Sequence, residues 1–485
     1  MNLFFSTRSD EKPVDAAEAI LKGIAPDGGL YTLRQFPLIP PQSVQNLDYR
    51  GLGSKILSSY LSGFTQEEIE RSVSKAYAGK FDVPEIVPLV KAGNRYVLEL
   101  FHGPTAAFKD AALSILPQLM SLAAKKTELE KDLVILVATS GDTGSSAMHA
   151  FADVKGTRAL VFYPEKGISP IQKAQMTTME ASNTIACAIR GNFDDAQTGV
   201  KKIFSAMPGL SSANSINIGR LAPQIVYYYN AYLSLVRMGR IKMGEPVNFS
   251  VPTGNFGDIL AGFMAKQSGL PIGTLICASN QNNVLHDFFQ TGVYDRRREF
   301  HVSISPSMDI LVSSNLERLI YWALGCDAGL TSQKMSSLSQ NGAFSISEAQ
   351  MAPIRGIFAS EWVDERQTEK TIAQVFRETG YLLDPHTAVA WRAAELHEMH
   401  SGDRTVCVVL STASPFKFPS SVLKAFDSSA ILPEDASAQI DMLQNVTLKK
   451  APQSILSVLG KKPRFTDVID PSQMMAYVID KEMKI

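Results

Sequence analysis

A single lysine interrupts a run of small and apolar residues in FHGPTAAFKDAALSILP, residues 101–117. A buried amine costs free energy unless a partner or a reaction makes use of it. Lys109 follows a Gly-Pro-Thr turn and falls on the first turn of a predicted helix. The positive end of the helix dipole and burial both favour the neutral amine there. A neutral lysine amine is a nucleophile that forms an imine with an aldehyde. The alternative, open to any one lysine, is a side chain that snorkels to the surface.

Three strand-to-helix junctions are rich in Gly, Ser or Thr, and in open α/β sheets ligands sit beyond the carboxyl ends of strands. The first is Thr139-Ser140-Gly141-Asp142-Thr143-Gly144-Ser145-Ser146, whose glycines, hydroxyls and helix-start amides suit a carboxylate or phosphate. An ordinary capped turn fits it equally. The second is Thr253-Gly254-Asn255-Phe256-Gly257-Asp258 after VNFSVP, with a following helix whose dipole points at any anion held there. Neither GxxxxGK[ST] nor a post-strand GxGxxG is present, so ATP and NAD are not supported. The third is Ser411-Thr412-Ala413-Ser414-Pro415 after TVCVVL, which offers a hydroxyl to a ring heteroatom or a simple N-cap. An imine lysine, a phosphate loop and a ring-facing hydroxyl together are what pyridoxal phosphate requires.

Other candidates are weaker. Arg220 in SINIGRLAPQ suits a phosphate or a salt bridge equally. His397 and His400 form HEMH rather than HExxH and read as surface histidines, with no metal site expected. His102 reads as a packed core histidine.

The elements that must position these groups follow an alternating pattern. DLVILVATS, TRALVFYP, TIACAIR, VNFSVPT, GTLICAS and RTVCVVLST are predicted strands with helical segments between them. Strands buried on both faces and separated by helices imply parallel sheets covered by helices, here in two α/β lobes. Residues 1–90 read as mostly helical, with a helix ended by Gly23 and another capped by Thr65 and Glu68. Residues 330–370 are polar and mixed, and the tail after 430 is polar, then weakly helical.

The totals set outer bounds. The chain has 485 residues, 45% hydrophobic and 20% charged, with a formal net charge of -1. That balance supplies no global field for nucleic acid or an anionic membrane, so a small-molecule ligand is expected. Arg296-Arg297-Arg298 reads as a solvated face. The four cysteines Cys187, Cys277, Cys326 and Cys407 are far apart and form no CxxC, which favours reduced thiols. No secretion signal or spanning helix is expected, and a cytoplasmic location follows.

Several motifs, in order along the chain, resemble the threonine synthases of the branch typical of fungi and many bacteria. They are FHGPTAAFKD, ATSGDTGSSA, TGNFGD and LSTASPFKFPSSV. STRS and GIAPDGGLY near the start, with SINIGRLAPQIVYY and SPSMDILVSSNLERL, extend the similarity over residues 1–430. The resemblance implies fold type II of the pyridoxal phosphate enzymes, the tryptophan-synthase-β-like fold. Its two open parallel-sheet lobes would occupy residues 91–430, between an N-terminal domain at 1–90 and an extension at 431–485. It also implies roles. Lys109 would carry the cofactor as a Schiff base, Gly254, Asn255, Phe256 and Asp258 would hold its phosphate, and Thr412 would face its ring nitrogen. Ser140 and Thr143 would take the substrate carboxylate. Asp142 stands where relatives of the wider fold often place an asparagine near the ring hydroxyl, and Arg220 would bind substrate.

Two departures lie near this site. Ile218-Gly219 replace a common Trp-Ala, and Ser414 stands where a histidine is usual. The implied reaction, of a carbon–oxygen lyase acting on phosphates, converts O-phospho-L-homoserine and water to L-threonine and phosphate. The alternatives are a phospho-lyase releasing 2-oxobutanoate and a non-catalytic binder of the cofactor. The sequence leaves the oligomeric state open.

Overall fold

The computed structural model describes residues 2–129, 131–207 and 209–484. Two parallel sheets dominate. The larger has six strands in the order Phe358–Trp362, Ile272–Ser279, Val247–Pro252, Cys407–Ser411, Arg95–Glu99, Leu89–Ala92. All of its pairings are parallel except the last, an antiparallel hairpin. The smaller sheet has five parallel strands in the order Val468–Ile469, Thr184–Ile189, Thr157–Pro164, Leu133–Ala138, Ser211–Ser212. Val247–Pro252 and Cys407–Ser411 are buried at every position. Helices cover both faces, so these strands read as apolar runs rather than alternating ones.

The six predicted strands and Leu133–Ala138 to Asp142–Phe151 as strand-then-helix are all present. The expected division at residue 90 falls within strand Leu89–Ala92, and the polar stretch 330–370 contains the edge strand Phe358–Trp362. In the N-terminal segment, Gly23 ends the helix Ala16–Lys22 at φ 67°, and Thr65 and Glu68 form a reciprocal capping box on Gln66–Tyr77. Each cap satisfies amides or carbonyls that a helix end leaves open.

Two remote segments brace the site. Arg8 forms a two-pronged ion pair with Glu317 (2.8 and 2.6 Å), and the Thr7 hydroxyl also donates to Glu317. Glu317 lies on the helix Leu316–Ala323, directly after Asn315. The tail, in turn, runs from one lobe to the other. Ile440 and Leu443 of Ala436–Thr447 pack with Val422 and Leu423 of the large lobe. The amides of Arg464 and Phe465 then both donate to the Thr177 carbonyl, and Met474 and Val478 pack with Leu160, Phe162 and Cys187 of the small lobe.

All four cysteines are free thiols, with Cys187, Cys277 and Cys407 buried. Among the described residues no helix is long and apolar enough to cross a membrane.

Candidate active site

The carboxyl ends of strands from both sheets meet around Lys109. The strand Cys407–Ser411 delivers Thr412, whose carbonyl accepts from the Phe108 amide at 2.8 Å; the Ser414 amide donates to Ala106 at 3.0 Å. This short antiparallel contact, Ala107 against Ala413, seats the lysine loop on the strand end. Lys109 then opens the helix Lys109–Leu113 and is 9% exposed, with Nζ 4.7 Å from the Phe108 ring centre and 3.4 Å from Oδ2 of Asp142. Burial lowers the pKa of its ammonium. Asp142 resists that shift, while Arg220 and Lys417 reinforce it.

The small lobe supplies the loop 139–146. Gly141 sits at φ 138°, and a Cβ there would lie 2.5 Å from the Gln172 side chain, so only glycine fits. The Thr139 hydroxyl accepts from the amides of Gly141 and Gly144, both at 2.9 Å. The amides of Asp142 and Thr143, on the first turn of Asp142–Phe151, keep no protein acceptor among the described residues. Ser140 and Thr143 are half-buried beside them. Two donated bonds reach Oδ1 of Asp142, from Lys417 at 2.6 Å and from Gln172 at 2.8 Å. Burial works against the charge on Asp142, but Lys417 and Lys109 hold its carboxyl well below the usual range.

The large lobe supplies the loop 253–258. Among the described residues the amides of Gly254, Asn255, Phe256, Gly257 and Asp258 have no protein acceptor, and they open onto the helix Gly257–Gln267. This is an anion cradle, and a cofactor phosphate fits it. Phe256 adopts φ 62°, a left-handed conformation that costs a bulky residue free energy. Its ring is fixed between Phe289 and Phe358, so Phe256 contributes its amide and not its side chain. A Cβ on Gly254 would lie 2.7 Å from the Ser307 carbonyl oxygen. The same Ser307 places its hydroxyl 3.4 Å from Oδ2 of Asp142, so this residue spans the two loops. Asn315 donates from its amide and side chain to the Asn255 carbonyl, both at 3.1 Å, and the Ser313 hydroxyl donates to the Gly254 carbonyl at 2.6 Å.

Asp258 turns away from the cradle. Its Oδ1 accepts from Tyr227 (2.6 Å) and Tyr228 (3.0 Å), and its Oδ2 has no partner among the described residues. Burial pushes its pKa up to about 6 against those two phenols. Between the ordinary carboxyl value and 6 the folded chain keeps a proton that the unfolded chain has released. The resulting cost therefore grows as pH rises through that window and is complete above it, about 3 kcal/mol. Asp258→Asn is expected to raise the thermal unfolding midpoint at pH 8, with the gain vanishing near pH 4; scans at the two pH values check it.

Arg220, on the short helix Ile218–Leu221 beside the helices of Lys109 and Asp258, is 4% exposed. Its Nη1 donates to the Ala213 carbonyl at 2.9 Å, Nε has no partner, and no carboxylate pairs with it among the described residues. Burial lowers its pKa to about 10. Of the two readings of Arg220, the salt bridge is therefore absent.

The two departures have packing reasons. A Cβ at Gly219 would already lie 3.0 Å from Leu116 and 3.1 Å from Ile20, and the buried Ser414 caps the turn Pro415–Lys417 by accepting from Phe416. Two histidines, His102 and His397, differ from expectation, and His400 does not. His102 is not a packed core residue: its ring nitrogens lie 2.6 Å from Asp82 and 2.9 Å from Glu99. Burial alone would lower its pKa, but those two carboxylates raise it. His397 is buried rather than on the surface, while His400 is exposed and pairs with Glu361 at 2.9 Å. Gln172, Ser307, Asn315 and Lys417 also face this site, and sequence reasoning misses them; the signal for Ser307 and Lys417 is their place in the family-like segments SPSMD and FKF.

A buried lysine between an anion cradle on one sheet and an amide-lined loop on the other defines a pyridoxal phosphate-dependent enzyme of fold type II. The profile described as "Pyridoxal-phosphate dependent enzyme" matches residues 87–412. Those described as "Threonine synthase N terminus" and "Threonine synthase, C-terminal" match residues 3–77 and 387–459. A threonine synthase from Pseudomonas aeruginosa is 39% identical, covering 87% of this chain and 90% of that one. Human "Threonine synthase-like 1" is 37% identical over 88% of this chain and 60% of its own length. The crystal structure of a PLP-bound threonine synthase from Brucella melitensis superposes with a TM-score of 0.87 at 36% identity, covering 99% of both chains. The chain belongs to the threonine synthase family.

Proposed function

We propose that this chain converts O-phospho-L-homoserine and water to L-threonine and phosphate. The observation that carries the reading is the Lys109 amine, 3.4 Å from a carboxylate and buried between two loops in which the amides of Asp142, Thr143 and residues 254–258 have no protein acceptor among the described residues. Bound pyridoxal phosphate supplies the electron sink for proton removal at the substrate α- and β-carbons.

The chain's own groups supply the rest. Lys109 would hold the cofactor covalently. Its Nζ would take the α-proton and pass it on, then move the β-proton to the γ-carbon as phosphate leaves, and return a proton to the α-carbon once water has added at the β-carbon. The depressed basicity of Lys109 keeps more of the amine neutral near pH 7. The amides of Gly254, Asn255, Phe256 and Asp258 hold the cofactor phosphate. Thr412 presents a hydroxyl to the ring nitrogen; a neutral partner leaves that nitrogen largely unprotonated and favours elimination over transamination. Asp142 faces the ring hydroxyl. Ser140, Thr143 and the amides beside them hold the substrate carboxylate, and Arg220 holds the substrate phosphate.

In this reading residues 1–90 form an N-terminal domain, 91–430 the catalytic lobes and 431–485 an extension, acting in the cytoplasm. Product analysis on O-phospho-L-homoserine tests the reaction. Threonine with one phosphate per turnover is expected. 2-Oxobutanoate would instead assign a phospho-lyase, and cofactor uptake without turnover a non-catalytic binder.

A further inference from the structure

Lys417 is fully buried, at the end of the capped turn Pro415–Lys417 that follows Thr412. An ammonium with no water contact is costly unless well paired. Its Nζ donates to Oδ1 of Asp142 at 2.6 Å and to the Thr105 carbonyl at 2.8 Å. Lys417 belongs to the large lobe and Asp142 to the small one, so this pair joins the lobes at the site.

The two oxygens of Asp142 are treated differently. Oδ1 receives short bonds from Lys417 and Gln172 (2.6 and 2.8 Å), which occupy its acceptor positions. Among the described residues Oδ2 has only long contacts, Lys109 and Ser307 at 3.4 Å each, and keeps its capacity toward the site. We propose that Lys417 is a positioning residue of the reaction: it locks Oδ1 of Asp142 and neutralises that carboxylate, so that Oδ2 alone is presented to Lys109 and the cofactor ring. The proposal rests on the reading of this site as the pyridoxal phosphate site.

The electrostatic surroundings give this pairing its leverage. Lys109 is faced by Asp142, Arg220 and Lys417, by the Phe108 ring and, through its charge, by Asp258. Lys417 also acts on Asp110 and His149. Removing its charge leaves Asp142 as an unneutralised anion beside Lys109. That raises the basicity of Lys109 and places a repelling charge next to the acidic ring substituent.

The test uses the cofactor-loaded full chain, Lys417→Met, Lys417→Arg and the double variant Lys417→Met/Asp142→Asn. The readouts are the pH-dependent absorbance of bound cofactor, the cofactor Kd, and kcat separately from KM. Lys417→Met is expected to move the absorbance–pH midpoint upward by at least one pH unit, weaken cofactor binding at least tenfold, and lower kcat more than KM rises. The double variant, which removes both charges, should return midpoint and Kd toward the parent values, and Lys417→Arg should keep the parent midpoint. A parent-like midpoint and Kd in Lys417→Met, or a double variant no better than the single, overturns the proposal. If Lys417→Met does not fold while the double variant does, charge pairing is supported. If neither folds, Lys417→Arg decides: a displaced midpoint overturns the proposal and a parent midpoint supports it. A parent chain that takes up no cofactor refutes the reading of the site, not the pairing of Lys417 with Asp142.

Discussion

Lys109→Ala is expected to lower kcat by at least roughly 10⁴-fold, because one amine serves more than one proton transfer and each such transfer contributes roughly 10²–10⁴-fold. The loss falls on kcat rather than KM, since the groups proposed to hold substrate, Ser140, Thr143 and Arg220, remain in place. The variant should stay folded. Removing a buried amine relieves its desolvation cost, and Asp142 keeps its shorter bonds to Lys417 and Gln172 at 2.6 and 2.8 Å. Lys109→Arg retains the charge but cannot form the covalent link, and it should be as inactive as Lys109→Ala. Single-turnover phosphate release, with circular dichroism as a check on folding, measures both. Activity within tenfold of the parent in either variant would remove Lys109 from the chemistry.

Arg220→Met should have a double signature. Arg220 is a buried guanidinium with, among the described residues, an unpartnered Nε and no carboxylate, so it stands as an unmatched cation until substrate binds. Replacing it should stabilise the substrate-free chain by about 1 kcal/mol, a shift of a few degrees in unfolding temperature. The same change should raise KM for O-phospho-L-homoserine roughly 10²-fold, the equivalent of about 3 kcal/mol for charge-assisted bonds to a phosphate. Inorganic phosphate provides an independent readout. It should protect the parent against heat by binding the folded state, and protect Arg220→Met much less. Thermal scans with and without phosphate, alongside steady-state kinetics, separate this from a packing role: a residue that only packs would destabilise when removed and leave phosphate protection intact.

Much of the site is local in sequence, which is why it could be read there. Lys109, the loop 139–146 and the loop 253–258 are each marked by residue types grouped within a few positions, although remote contacts then fix their form. Glycines at 141 and 254 stand where a Cβ would collide with the Gln172 side chain or the Ser307 carbonyl. The central strands were legible because burial on both faces leaves only apolar side chains available to them. Phe358–Trp362 was not, because it lies at the sheet edge, is partly exposed, and mixes Ser360 and Glu361 into the run. Val468–Ile469 has two residues and takes its strand form from pairing with Thr184–Ile189, not from any pattern of its own.

The partners of the site were hidden for a different reason. Nothing near Lys417 in the chain shows that it will meet Asp142, and nothing near Glu317 shows the grip of Thr7 and Arg8. His102 read as a core residue because its sequence neighbours are apolar or small. Its character comes from Asp82, brought alongside by the fold, and from Glu99, three positions earlier. Asp258 read as a phosphate ligand because of its place in TGNFGD, yet its carboxylate is turned to Tyr227 and Tyr228 and leaves only its amide facing the cradle.

The account depends on one bond, between Nζ of Lys109 and the aldehyde carbon of pyridoxal phosphate. Borohydride reduction of the purified, cofactor-loaded chain, followed by proteolysis and mass mapping, tests it directly. The predicted result is one stably modified peptide, carrying its label on Lys109, with loss of the visible absorbance band. A label on any other lysine, Lys417 included, or a chain that takes up no cofactor at all, would contradict it.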